Sequence, residues 1–91
     1  MTKRIFKYPL HLTDEQTIEM PKGAQIVHTD NQAGTLCVWA WVDDEQPLVW
    51  HRIAIVGTGH DVSRFDPATL VGVIVSPSFV WHILDLGEVE E

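Results

Sequence analysis

The residues best suited to chemistry in this chain sit in and just after the stretch "LVWHRIAIV", Leu48 to Val56. Period-two alternation puts Leu48, Trp50, Arg52, Ala54 and Val56 on one face and Val49, His51, Ile53 and Ile55 on the other. Arg52 is therefore a guanidinium among mostly apolar neighbours. It needs a partner, because an unpaired buried charge is costly. Two kinds of partner fit: an internal carboxylate such as Asp43 or Asp85, or a ligand phosphate matching the guanidinium fork. The stretch ends in Gly57-Thr58-Gly59-His60, which can present backbone N–H groups and a hydroxyl to an anion, or simply turn the chain. It has neither the G-x-x-x-x-G-K-[ST] nor the G-x-G-x-x-G spacing of the nucleotide fingerprints.

Trp39 and Trp41 project together from the next most informative stretch, "TLCVWAWVDD". Indole rings there can stack on a planar base, fill a subunit interface or pack in a core. Trp81 and His82 pose the same choice on opposite faces of a later strand. The five histidines, His11, His28, His51, His60 and His82, show no H-x-H or H-E-x-x-H spacing, so no metal site is expected. Ser63, Ser76 and Ser78 lack a nucleophile elbow, and Cys37 falls in mid-strand, where a buried thiol is inert. The carboxylates gather in turns and at the C-terminus. No base–nucleophile pair emerges, so the expectation is a protein that binds without catalysis and needs no cofactor.

These residues need strands to position them. "RIFKYPLHL" alternates, with Phe6, Tyr8, Leu10 and Leu12 on one side and Ile5, Lys7, Pro9 and His11 on the other; Pro9 directs it to a sheet edge or a bulge. Further strands are expected over Gln16–Met20, Ala24–Asp30, Thr35–Asp44, Leu48–Val56, Leu70–Val75 and Phe79–Leu86. Turns fall at Pro21-Lys22-Gly23, at "NQAG" and at Ser76-Pro77-Ser78, and "DDEQP" reads as a hairpin joining the fourth and fifth strands. Thr13 and Gln16 have capping-box spacing, but the apolar run behind them is too short for a helix. A short helix fits between Asp61 and Thr69. The expected fold is all-β and mainly antiparallel: a small sheet, a sandwich or a partly open barrel over residues 1–86, followed by the acidic tail "GEVEE" at 87–91.

Bulk composition narrows the partners. The chain has 91 residues and a net charge of −7, which disfavours long DNA or RNA while leaving room for a small nucleotide held by local cations. One cysteine permits no intrachain disulfide and suits a reducing cytoplasm. No apolar run reaches the length of a membrane span and no signal peptide is evident. So small a domain has a modest core, and self-association would bury more surface, so a homo-oligomer is expected.

The run of pieces "KYPL", "IEMPKGAQIV", "LCVWAWVD", "RIAIVGTGHDV", "LVGVIV" and "FVWHILD", covering most of the chain, resembles a family of small proteins carried by bacteriophages and prophages. In size and setting it also resembles, more loosely, the anti-CBASS and anti-Thoeris sponge proteins, which sequester cyclic nucleotide or ADP-ribose-derived immune signals as oligomers. That resemblance implies a cytoplasmic protein of an infected host. No site residue carries over from the sponges; by residue type alone, such a ligand would stack on Trp39 or Trp41, with Tyr8 adding a ring or hydroxyl, and its phosphates would meet Arg52 and Gly57, Thr58, Gly59 and His60. The alternative is a structural or host-takeover module that applies its Trp-rich face to another protein.

Overall fold

The computed structural model describes residues 2–89 and consists of seven β-strands in two antiparallel sheets. The strands are β1 (Lys3–Pro9), β2 (Glu15–Pro21), β3 (Gln25–Gln32), β4 (Thr35–Asp43), β5 (Leu48–Gly57), β6 (Thr69–Val75) and β7 (Val80–Glu88). One sheet has the order β1-β4-β3 and the other β2-β5-β7-β6. They stack as an open sandwich, not a closed barrel. The all-β expectation holds. The short helix expected between Asp61 and Thr69 is only a 3₁₀ turn over Ser63–Phe65.

Alternation builds the core. Val38, Ala40 and Val42 of β4 face Ile53 and Ile55 of β5 and Ile83 of β7, with Met20, Leu10 and Ile74 completing the cluster. A smaller cluster lies on the outside of the second sheet, where Phe65 covers Ala54 and Val56 with Leu84 and Leu86 at its margin. The β5–β6 crossover thus covers part of a face that would otherwise be wet.

The expected hairpin at "DDEQP" is not formed. β4 already pairs with β1 and β3, and β5 with β2 and β7, so the chain crosses from one sheet to the other. The Asp43 carboxylate accepts the Glu45 N–H and the Asp43 carbonyl accepts the Gln46 N–H, which folds the chain back while it changes layer. The chain also changes sheet between β1 and β2, and again between β2 and β3 at Pro21-Lys22-Gly23. The β3–β4 connection is a true two-residue hairpin: Ala33 and Gly34 both have positive φ, the type I′ geometry that matches strand twist. Gln16 fixes the β1–β2 loop instead of a helix cap, since its side-chain amide donates to the His11 carbonyl and accepts from the His11 N–H.

The last strand runs two residues past the expected Leu86. Gly87 and Glu88 are paired in β7, and the Glu88 carboxylate accepts the Gly23 N–H at 2.7 Å. Glu90 and Glu91 of the expected tail lie outside the described residues.

The two edges of the sandwich differ. On one side β3 packs on β6, so closely that a Cβ on Gly72 would stand 2.8 Å from Cγ2 of Thr29. On the other side β4 packs on β2, and β1 extends beyond the second sheet. Every residue of β1 is exposed except Tyr8, which is half-buried against the core. Pro9 lies on an edge strand, as its missing N–H requires.

Candidate functional site: the open β1 edge and the Trp face

The expected site residues do not converge in one chain. Trp39 and Trp41 lie on the outer face of the first sheet, opposite Lys7 and Ile5 of β1. Arg52 lies on the outer face of the second sheet. Tyr8 points inward toward the core from β1, and partial burial raises its phenol above the ordinary value. Gly57 to His60 lies at the far end of β5, where the His60 N–H bonds back to the Gly57 carbonyl and Gly59 has a φ of 87°. Residues 57–60 thus form a β-turn, and the His60 N–H is occupied within it. His60 and Trp81 both stand close to Gly57, at 3.2 and 3.5 Å from where its Cβ would be.

Arg52 has an internal partner, and it is neither Asp43 nor Asp85. Its guanidinium contacts the Glu15 carboxylate at 2.9 Å through both Nε and Nη2. The β2–β5 register sets Thr17 opposite Arg52 and Glu15 opposite Ala54, one same-face step away. Asp43 is engaged at its turn; the Glu45 N–H foremost holds its carboxyl below the ordinary range. Asp85 is taken by a residue that sequence reasoning had not paired with it. His51, 3% exposed, has Nε2 2.6 Å from Asp85 Oδ1, which also accepts the Gly87 N–H. Burial alone would raise the Asp85 carboxyl, but those two hydrogen bonds and the imidazole's charge outweigh it and lower it. Alternation already places His51 on the core face, so its need for a partner was visible; the β5–β7 register was not.

Clefts are shallow and spread out. Two of about 310 and 590 Å³ adjoin beneath the β5–β6 crossover, sharing His60, Val62, Leu70 and Leu84. One of about 480 Å³ lies at the end of the sandwich by His11, Phe79 and Trp81, the last two with ring centroids 5.0 Å apart. One of about 300 Å³ is bordered by Trp41, Lys3 and Lys22.

The most distinctive surface is β1 with the Trp face beside it. Ile5 is 56% exposed, Trp41 48% and Val27 52%, and the Trp39 ring is 5.4 Å from that of His28. Val27 is the extra residue where the β3–β4 register shifts between Ile26 and His28. The direction of the β1 main-chain groups follows from its ends. The Thr2 carbonyl accepts from the Asp44 N–H, and the Leu10 N–H donates to the Leu36 carbonyl. The intervening register is regular from Lys3↔Asp43 to Pro9↔Cys37. In an antiparallel pair the direction alternates, so Arg4, Phe6 and Tyr8 bond to β4 while Lys3, Ile5 and Lys7 turn both N–H and C=O outward. Pro9 has no N–H and turns only its carbonyl outward. The charges beside this edge are largely committed inside the chain: Arg4 to Asp44, and Lys7 Nζ to Gln32 Oε1 at 2.6 Å.

Fold and surface together define a small two-layer β-sandwich in which β3 packs on β6 at one side and the edge strand β1 is exposed at the other. The chain belongs to the family described as domain of unknown function DUF7352, which matches it over residues 1–91. Neither the curated proteins nor the solved structures contain a match to it. Among the described residues no helix is long and apolar enough to cross a membrane.

Proposed function

We propose that this chain is a non-catalytic interaction module that takes an extended partner segment along β1, with the Trp39–Trp41 face as its flanking contact. The observation that carries this reading is that β1 is exposed at every residue but Tyr8 and turns the main-chain groups of Lys3, Ile5 and Lys7 to solvent. Such an edge is a template for strand addition, in which main-chain hydrogen bonds supply affinity and side-chain rows supply selectivity. Photo-crosslinking tests it. A benzoylphenylalanine at Ile5 should capture a polypeptide in cells that make the protein, while the same probe at exposed Thr17, on the outer face of the second sheet, should not. Equal capture at both positions, or none at Ile5, contradicts the reading.

A second reading is sequestration of a small cyclic nucleotide or ADP-ribose-derived signal in a host cytoplasm, as the resemblance implies. It is favoured by the cleft where Trp41 stands with Lys3 and Lys22, an aromatic face beside two cations, with the Asp43 carboxylate on the same wall. Arg52 has no part in that cleft. Thermal unfolding with a panel of cyclic di- and trinucleotides and cyclic ADP-ribose isomers separates the readings. A large upward shift lost in Trp41→Ala but kept in Arg52→Ala supports sequestration, and no shift across the panel removes it.

A further inference from the structure

We infer that the strand taken up by β1 is β1 of a second copy of this chain, in one antiparallel register centred on Phe6. This rests on the reading of β1 as the binding edge and specifies its occupant.

The outward groups decide which registers are possible. Only Lys3, Ile5, Lys7 and the Pro9 carbonyl are available to form hydrogen-bonded pairs across the new seam, so a symmetric pairing centres on one of these residues or midway between two of them. Centred on Ile5, the pairing sets Lys3 against Lys7 of the second copy. Centred on Lys7, it sets the two Lys7 residues against each other. The first leaves Pro9 without an outward partner and the second leaves Lys3 without one. Centring on Arg4 or Tyr8 leaves two of the four unmatched, so only the register centred on Phe6 pairs all of Lys3, Ile5, Lys7 and Pro9. Centred on Phe6, the pairing sets Ile5 against Lys7, Lys3 against Pro9 and Arg4 against Tyr8 of the second copy, and Phe6 against its own equivalent. No like charges meet. Two aromatic rings pair at the axis, and a guanidinium meets a phenol ring on each side.

The neighbouring strands extend these rows. On the inner face Phe6 is flanked by Ala40, and on the outer face Ile5 is flanked by Trp41 and Lys7 by Trp39. Each outer row then reads Trp41, Ile5, Lys7 of the second copy, Trp39 of the second copy. The half-exposed Ile5 and Trp41 gain cover, as does Phe6, 37% exposed in one chain. The result is a six-stranded sheet across the pair, in which the open edge no longer exists.

Charge does not select a different occupant. β1 carries three of the chain's six lysines and arginines, which in isolation suggests an acidic partner strand. But Arg4 is paired with Asp44, and the Lys7 amine reaches back across β4 to Gln32, away from the edge. The seam is left with Ile5, Phe6 and Tyr8 as its main side-chain content and the exposed Lys3 at its end.

Cysteine crosslinking reads the register directly. In a Cys37→Ala background, Phe6→Cys places two thiols at a non-hydrogen-bonded antiparallel pair, whose Cα separation of about 4.5 Å suits a disulfide. Mild oxidation of Phe6→Cys should give a covalent dimer. Ile5→Cys alone should give at least tenfold less, whereas an equimolar mixture of Ile5→Cys and Lys7→Cys should crosslink. In parallel, sedimentation of the unmodified chain should show a concentration-dependent dimer, and Lys7→Pro, which removes an outward N–H not used within the chain, should be monomeric with an unchanged circular dichroism spectrum. Crosslinking of Ile5→Cys in preference to Phe6→Cys overturns the register. A chain that stays monomeric up to about 1 mM, a weak-binding limit near 4 kcal/mol, overturns the second copy as occupant. Were the Ile5 photoprobe still to capture a different protein, β1 would remain the binding edge and only its occupant would be wrong.

Discussion

Two polar pairs show how much each charged residue matters to this fold. The His51–Asp85 pair is buried on one side and hydrogen-bonded by Gly87 as well. Removing one member strands the other, so Asp85→Asn or His51→Leu should cost about 3 kcal/mol, measured by chemical unfolding. Because the folded state holds the Asp85 carboxyl below its ordinary value, the contribution is fully present above the normal carboxylate range. It is lost as pH falls through the lowered folded value. Melting temperature followed from pH 7 down to pH 2 should therefore fall more steeply below about pH 4 in the native chain than in Asp85→Asn. The Arg52–Glu15 pair is different, with side chains 38% and 31% exposed. Solvent screens it, and Arg52→Ala should cost no more than about 1 kcal/mol in the same measurement. That Arg52 needs a partner was legible from its apolar face. That the partner is Glu15 was not, because Glu15 is 37 residues away and reaches Arg52 only through the β2–β5 register.

At the level of elements, the strands were readable because their alternation is regular, and Pro9 marked β1 as an edge by its missing donor. What alternation does not encode is which sheet a strand joins. "NQAG" and "DDEQP" are both short polar connections, yet the first closes a hairpin and the second carries the chain to the other layer. The difference lies in partners supplied from elsewhere: β1 occupies the side of β4 that β5 would have used. The opposite edge shows the same dependence on tertiary contacts. Gly72 stands where β6 meets β3, and nothing adjacent in sequence announces that a methyl there would press on Thr29. Thr29 is itself held by a hydrogen bond from its hydroxyl to the Cys37 carbonyl, so it cannot easily give way. Gly72→Ala should lower stability by about 1–3 kcal/mol and loosen the β3–β6 seam, seen as faster amide exchange in both strands. A matching Gly→Ala change at Gly34 meets no neighbour, but it is strained by the φ of 88° and should weaken the β3–β4 turn instead.

For the whole molecule, the asymmetry of the sandwich is the functional statement. One side is closed by β3 on β6, and the other leaves β1 projecting past its second layer with apolar side chains on both faces. A solitary domain with such an edge would normally blunt it. Here the Lys7 amine is drawn back to Gln32, and Pro9 at the end of the strand offers only its carbonyl, so the edge is short but remains usable. Strand uptake depends on the alternation of free and bonded groups along β1. Residue-resolved amide exchange on dilute and concentrated samples measures it most directly. In dilute solution Arg4, Phe6 and Tyr8 should be protected while Lys3, Ile5 and Lys7 exchange quickly, and at high concentration the Ile5 and Lys7 amides should gain protection. Uniform protection along β1 in dilute solution, or free exchange of Ile5 and Lys7 at every concentration, would contradict the account.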